Sequence, residues 1–143
     1  MLVSQILKTK GDAVVGIEPE ATVIEAARLM AEHNVGAVLV RTADNEVRGI
    51  LSERDLARAL AAQGGAAADA RVATLMTPNV ITCGPTDSSD RLMEMMTQRR
   101  IRHLPVVMDG KLIGMISIGD VVKARLGELQ SQAAELQAYI ATG

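Results

Sequence analysis

The chain has 143 residues, 48% of them apolar and 22% charged, which are ordinary values for a compact folded protein and unlike those of a disordered one. Its net charge of −2 lacks the basic excess that is typical of nucleic-acid binding. The lone Cys83 excludes an internal disulfide and a cysteine-rich metal site. With one tyrosine and no phenylalanine or tryptophan, the chain also lacks the stacking platforms of single-strand binders, so a bound base would need an aliphatic slot.

The sequence also argues against a membrane or secreted protein. No apolar run approaches the roughly 20 residues of a membrane span. The opening stretch MLVSQILKTKGD lacks a basic start followed by an apolar segment, so it does not resemble a signal peptide. We therefore expect a cytoplasmic protein with neither a membrane nor a nucleic-acid partner.

The first predicted elements are a strand and a helix. Residues 13–17, AVVGI, are short and rich in β-branched residues, which is typical of a strand. Thr22 and Glu25 have the spacing of a capping box, so a helix is predicted to begin after Thr22. Apolar residues recur at i, i+3, i+4 and i+7 from Val23, which gives this helix one apolar stripe, and it is expected to end near Asn34.

Two strands and a second helix follow. Residues 36–40 and 47–51 are predicted strands joined by a loop, and a helix is predicted from Ser52 or Glu53 to about Ala62. The small residues of the segment 63–70 predict a flexible link. The segment 71–78 predicts a short helix that ends before its proline.

The second half of the chain repeats the first. Residues 19–40 align with 85–106 without a gap at an offset of 66, and GILSERD aligns with GMISIGD at an offset of 65. The second copy should therefore repeat the order strand, helix, strand, strand, helix, beginning with a strand at NVIT and with a tight hairpin at Asp109-Gly110. Because a lone unit of about 60 residues buries too little surface, the two units should pack as one α+β module. The predicted division is 1–62 for the first unit with its N-terminal segment, 63–78 for a linker and short helix, 79–126 for the second unit and 127–143 for a helical tail.

The last helix carries an apolar seam. Six residues follow one another at steps of 4, 3, 4, 3 and 4: Val122, Leu126, Leu129, Ala133, Leu136 and Ile140. This spacing favours a helix that pairs with another chain. The alternative is a tail helix that packs on its own domain.

Each copy places a serine where a strand ends and a helix begins, and an aspartate one turn later. Such a junction offers unpaired N–H groups to a phosphate, and an ionised carboxylate accepts hydrogen bonds from the two hydroxyls of a ribose. These pairs, Ser52 with Asp55 and Ser117 with Asp120, thus have the chemistry of nucleotide half-sites. The alternative is a plain helix cap with an acidic first turn.

With its Gly-x-x-Ser-x-x-Asp ending, the repeated unit resembles the CBS (cystathionine β-synthase) domain, and two units in tandem resemble the CBS pair or Bateman module. RRIRHLPVV and GMISIGDVVKA are similar to stand-alone members, and the resemblance extends from about Val15 to Leu126. It implies two β-α-β-β-α units packed sheet to sheet about a pseudo-two-fold axis, with two clefts between them. It also implies a bound AMP, ADP, ATP, NAD(H) or S-adenosylmethionine, with no resident cofactor required.

The resemblance further implies roles for particular residues. The serine and aspartate of each motif would contact phosphate or ribose, and residues near the first strand of each unit, at 16–19 and 82–85, would hold the base. Arg102 and His103, which stand opposite Gly36-Ala37 of the first copy, would meet phosphate, unless their basic run is only a solvated face. From the residues themselves, Arg54 stands where the second copy has Gly119, and an arginine there would fork onto a phosphate beside Asp55. The candidate ligand residues are Ser117, Asp120, Arg102, His103, Thr82, Pro85, Ser52, Arg54, Asp55 and Ile17. Occupation of one cleft or of both is left open.

Catalysis is not expected, because two histidines and no metal-spaced cluster provide little acid–base chemistry. We expect a regulatory module that binds an adenine nucleotide between its units and signals by a change in packing to an unknown target protein. The alternative is a dimerisation scaffold whose clefts are empty. In either case a homodimer through the CBS faces and the C-terminal helix is expected.

Overall fold

The fold is described from a computed structural model of residues 1–142. The elements in chain order are α1 (Val3–Lys10), β1 (Gly16–Ile17), α2 (Val23–His33), β2 (Ala37–Arg41), β3 (Val47–Ser52), α3 (Glu53–Gln63), a 3-10 helix (Gly64–Asp69), α4 (Val72–Leu75), β4 (Thr77–Pro78), α5 (Ser89–Arg99), β5 (His103–Met108), β6 (Lys111–Ser117) and α6 (Ile118–Thr142). The predicted α+β class with two tandem units is confirmed.

The first repeat forms a four-stranded sheet in the order β1-β2-β3-β4. β1 runs parallel to β2, and the other pairs are antiparallel. Four successive residues of β2, Ala37 to Val40, are buried because α2 covers one face of the sheet and the other face meets further protein. The helix α2 begins at the predicted capping box of Thr22 and Glu25, and Asn34 ends it in the left-handed conformation.

The second repeat has only two paired strands, β5 and β6, and the strand expected at NVIT does not form. A single parallel bridge, Cys83 to Val106, takes its place. In the first repeat, the N–H of Leu39 donates to the carbonyl of Val15 at 3.0 Å. In the second repeat Pro105 occupies the position of Leu39 and has no N–H to donate. The parallel pairing, which involves two residues of β1 in the first repeat, is therefore reduced to one residue, Cys83. The predicted hairpin is present, because Asp109 and Gly110 both have positive φ.

Each repeat is completed by a helix from outside its aligned residues. Val3 and Ile6 of α1 are buried in the core of the second repeat, and Val72 of α4 is buried in the core of the first. The backbone contacts of the two helices are equivalent. The N–H of Val3 donates to the carbonyl of Asp87 at 2.9 Å, and the N–H of Val72 donates to the carbonyl of Ala21, the equivalent residue, at 2.8 Å. The expected division grouped the N-terminal segment with the first unit, but α1 packs on the second because its apolar face has its partners there.

The segment expected to be a flexible link is a 3-10 helix, Gly64–Asp69. Its Ala67 is 1% exposed, and the segment packs against both α2 and α3, which orders it. No helix in the part of the chain that the structure describes combines the length and the apolar character needed to cross a bilayer.

The helix α6 continues without a break into the tail. Its buried residues, Val121 and Ala124, lie in the first two turns. The seam residues that follow are exposed; Leu136, for example, is 60% exposed and Ile140 68%. Glu128 still bonds to Met1 and Ser89, but the apolar seam after it does not pack on its own domain within residues 1–142, which argues against the alternative of a tail folded back on the domain.

Candidate functional site

The first half-site consists of Ser52 and Asp55 at the junction of β3 and α3. The Asp55 carboxylate accepts hydrogen bonds at Oδ2 from the Ser52 N–H (2.9 Å) and from Ser52 Oγ (3.0 Å). The Asp55 N–H donates in turn to Ser52 Oγ at 3.3 Å. The pair is thus a capping box, as the alternative reading required, yet Oδ1 of Asp55 accepts no hydrogen bond from any residue between 1 and 142 and is available to a hydroxyl.

The second half-site, Ser117 and Asp120 at the junction of β6 and α6, has the same internal bonds and one more partner. Asp120 Oδ2 accepts from the Ser117 N–H (2.8 Å) and from Ser117 Oγ (2.9 Å). Lys10 at the end of α1 donates to the same oxygen at 2.5 Å and to the Met115 carbonyl at 2.7 Å. Burial alone would raise the pKa of Asp120, but the hydrogen bonds from Lys10 and Ser117 lower it below its usual value.

A cavity of about 530 Å³ opens beside the first half-site. It lies between the two repeats, since residues of both line it: Gly36, Ile50, Ser52, Glu53, Arg54, Asp55, Arg58, Thr77, Asn79, Val80, Ile81, Arg100, Ile101, Arg102 and His103. Its volume is within the range of small-molecule sites. The structure therefore brings together five of the predicted site residues, Ser52, Arg54, Asp55, Arg102 and His103.

The lining of this cavity is cationic. Four arginines, at positions 54, 58, 100 and 102, face two acidic residues, Glu53 and Asp55. In the described residues, 1–142, none of the four guanidinium groups has an ion-pair or hydrogen-bond partner in the protein. Unpaired guanidinium groups around one cavity provide donors for a multiply charged oxyanion.

His103 lies between the cavity and the second half-site, because it starts β5 opposite Ser117. Burial lowers the pKa of His103 below its usual 6.5, and Lys10 and Arg102 lower it further against the opposing effect of Asp120. The imidazole is therefore neutral at pH 7, and the permanent charge at this side of the cavity comes from Arg102.

The other predicted site residues lie away from this cavity. Ile17 pairs with Val40 in β1 and packs on the first core. Thr82 is exposed, and the Pro85 carbonyl accepts the Ser4 N–H at 2.9 Å. Ser117 and Asp120 are not among the described residues that line the cavity either.

Several lining residues were not predicted. Arg58 follows Arg54 by four positions on α3, so helical spacing alone could have grouped the two. Asn79, Val80 and Ile81 were predicted as a strand, but they form none and line the cavity instead. Ile50, Val80, Ile81 and Ile101 supply the aliphatic wall that a base would need in a chain with a single aromatic residue.

No group of three or more metal-ligating side chains is assembled among the residues that the structure describes. Cys83 is buried, and burial together with Asp87 raises the pKa of its thiol to about 12. The thiol is therefore protonated and unreactive at neutral pH.

The comparisons with known proteins all indicate the same family. The CBS domain model matches the chain twice, at residues 3–62 and 72–127. A mitochondrial CBS domain-containing protein of Arabidopsis thaliana is 38% identical over 149 residues, covering 99% of this chain and 72% of the relative.

Solved structures agree. The crystal structure of a CBS-domain containing protein from Agrobacterium tumefaciens is 48% identical with a TM-score of 0.83, covering 87% of this chain and 92% of that one. A CBS domain pair solved in complex with 5′-methylthioadenosine and S-adenosyl-L-methionine is 25% identical with a TM-score of 0.79, covering 90% and 98%.

Proposed function

The chain belongs to the CBS domain family, and on that premise we propose that it is a non-catalytic regulatory module that binds an adenine nucleotide between its two repeats. The observation that carries the proposal is the cavity of about 530 Å³, which joins the Ser52–Asp55 half-site of one repeat to Arg102 of the other. The related pair solved with two adenosyl ligands supports an adenosyl ligand here as well.

The charge of the cavity favours a ligand with phosphates. Four unpaired arginines against two carboxylates leave an excess of positive charge that a nucleotide would neutralise. AMP, ADP, ATP and NAD(H) carry phosphates, whereas S-adenosylmethionine carries a sulfonium cation and would meet these arginines unfavourably. We therefore propose a phosphate-bearing adenine nucleotide over S-adenosylmethionine.

The remaining parts of a nucleotide have matching groups. Oδ1 of Asp55 would accept from the ribose hydroxyls, and the N-terminus of α3, with Arg54, would meet the phosphate nearest the sugar. Ile50, Ile81 and Ile101 would enclose the base.

Such a ligand would act on the arrangement of the repeats. Because its phosphates would be held by Arg102 and its ribose by Asp55, it would bind best to one relative position of the two units and so shift the module toward that position. A target protein that contacts both units would sense the shift.

The test is isothermal titration calorimetry of nucleotide-free protein with AMP, ADP, ATP, NADH and S-adenosylmethionine. Asp55→Asn keeps an oxygen for the Ser52 cap and removes the charge, and Arg102→Gln removes one guanidinium; each should weaken nucleotide binding by about tenfold or more. Arg48→Gln is the matched control, since Arg48 is exposed on β3, pairs with Glu46 and lies outside the cavity.

Binding that is unchanged by both Asp55→Asn and Arg102→Gln would show that the ligand lies elsewhere. Failure of all five ligands to bind a chain shown to be empty would favour the second candidate, a dimerisation scaffold.

The exposed apolar seam of α6 supports this second candidate function. Its six apolar residues repeat at heptad spacing, and the flanking positions next to it in the tail are uncharged, with Gln130, Gln132 and Gln137 among them. Two tails could therefore pair without like charges meeting across the seam. We propose that the tail contributes to a homodimer, whether or not the cavity is occupied.

A further inference from the structure

We propose that Lys10 closes the second half-site, so that while α1 is docked only the first half-site accepts a ligand. The inference rests on the proposed nucleotide function, and it identifies Lys10 as the residue that makes two sequence-equivalent sites unequal.

The contact is specific. The Lys10 ammonium donates to Asp120 Oδ2 at 2.5 Å and to the Met115 carbonyl at 2.7 Å, and the two side chains of the ion pair are only 30% and 23% exposed. A second acceptor fixes the ammonium in place, which distinguishes this pair from a mobile surface ion pair.

Asp55 has no such partner among the residues that the structure describes. A sugar hydroxyl that approaches Asp55 meets a free anion, which is a strong acceptor. One that approaches Asp120 meets a carboxylate whose charge the Lys10 ammonium already neutralises through Oδ2.

The difference arises from the two helices that complete the repeats. Val3 of α1 and Val72 of α4 are equivalent, so Lys10 corresponds to Asn79. The helix α1 runs for eight residues and carries Lys10 to Met115 and Asp120, whereas α4 ends after four and the chain then pairs with β3 as β4. Asn79 consequently lines an open cavity, whereas the equivalent Lys10 is paired with the Asp120 carboxylate.

The same contact ties the second half-site to the position of α1. Lys10 is the last residue of that helix, and Leu7, one turn earlier, packs on Gly114 of β6. Displacement of α1 would remove the ammonium from Asp120 and expose the half-site.

Four proteins test this: the wild-type chain, Lys10→Met, Asp55→Asn, and the double variant Asp55→Asn with Lys10→Met. Methionine keeps most of the aliphatic stem of Lys10 and removes its charge. ADP and S-adenosylmethionine serve as a phosphate-bearing and a phosphate-free adenosyl probe in calorimetry. Lys8→Met, an exposed lysine on the same helix, is the matched control.

We expect one ligand per chain for the wild type and for Lys8→Met, and a second ligand for Lys10→Met. The double variant should bind at least about tenfold more tightly than Asp55→Asn alone. A thermal unfolding curve confirms that each variant is folded. As a ligand-free measurement, the pKa of Asp120 followed by NMR should rise in Lys10→Met because its main hydrogen-bonding cation is gone.

The outcomes separate the two proposals. Binding by the wild type with no gain in Lys10→Met, or a loss in that variant, would refute the closure and leave the nucleotide function standing. Binding that appears only when Lys10 is replaced would support the closure and refute the first half-site as the working one. No binding by any of the four proteins would refute both.

Discussion

Leu7 of α1 packs so closely on Gly114 of β6 that a Cβ at the glycine would lie 2.7 Å from Leu7 Cδ2. The equivalent Gly49 of β3 would place a Cβ 2.7 Å from both Met76 Sδ and the Thr77 carbonyl oxygen. The glycine that begins each Gly-x-x-Ser-x-x-Asp motif therefore admits a neighbouring segment of protein.

This pair of glycines gives a first prediction. Gly49→Ala should lower the free energy of unfolding by about 1–3 kcal/mol, because the backbone of Thr77 cannot move aside while it is paired in the sheet. Gly114→Ala should cost less, since the end of a leucine side chain can rotate. Urea unfolding of the two variants measures the difference, and an equal or reversed order would contradict this account.

The second prediction concerns pH. His103 is neutral at pH 7, and a bound phosphate would favour its protonated form, so nucleotide affinity should rise as pH falls below 6.5. Calorimetry from about pH 8 to about pH 5.5 measures the slope, and His103→Gln isolates it from the titration of the nucleotide itself. Identical slopes for the two proteins would exclude His103 from phosphate binding.

The lowered pKa of His103 also predicts how the free energy of unfolding changes with pH. Because the folded-state pKa of His103 lies below the unfolded value of 6.5, the unfolded chain takes up the proton first as pH falls. His103 should thus lower the free energy of unfolding progressively below pH 6.5, and His103→Gln should reduce that loss.

A third prediction uses Cys83 as a reporter. With a pKa of about 12, only about one thiol in ten thousand is ionised at about pH 8, and the side chain is buried. Iodoacetamide should therefore label the native chain far more slowly than the chain in urea, and a bound nucleotide should slow labelling further by suppressing opening. Rapid labelling of the native protein would contradict the burial of this residue.

The fourth prediction separates assembly from folding. Removal of residues 130–143 should leave the unfolding of the monomer unchanged, because no described residue after Ala124 is buried in α6. It should weaken the dimer by about tenfold or more, measured by sedimentation equilibrium. Leu136→Ser should have part of the same effect, whereas Ala138→Ser, on the opposite face of the helix, should not. An unchanged dimer affinity in the truncated chain would show that the tail plays no part.

The local signals in the sequence were sufficient for most elements. Thr22 with Glu25, and Asp109-Gly110, depend on atoms within a few residues, so their outcome could be predicted from the residue types alone. The two serine–aspartate motifs form helix caps, which the sequence had given as the alternative to nucleotide half-sites, and the repeat correctly predicted the family.

The remaining differences depended on distant partners. Val3 and Ile6 have no partner nearby in sequence, and only the fold brings them to the second core. The loss of strand pairing at Thr82, the equivalent of Gly16, depended on a proline more than twenty positions later. The cavity was predictable in part, because Arg102 and Asp55 were predicted to bind the ligand, but nothing near Asp120 in the sequence indicates its contact with Lys10 of α1.

The packing of α1 on the second repeat and of α4 on the first also constrains how the chain folds during synthesis. Residues 3–10 are synthesised before the whole first repeat, whereas their partners, among them Leu92, Leu104 and Val121, are synthesised after it. The second core cannot close until Val121 has been synthesised, and α1 must stay unpaired until then. Neither repeat is therefore an independent folding unit, and the chain should fold in one cooperative step whose loop closure spans most of its length.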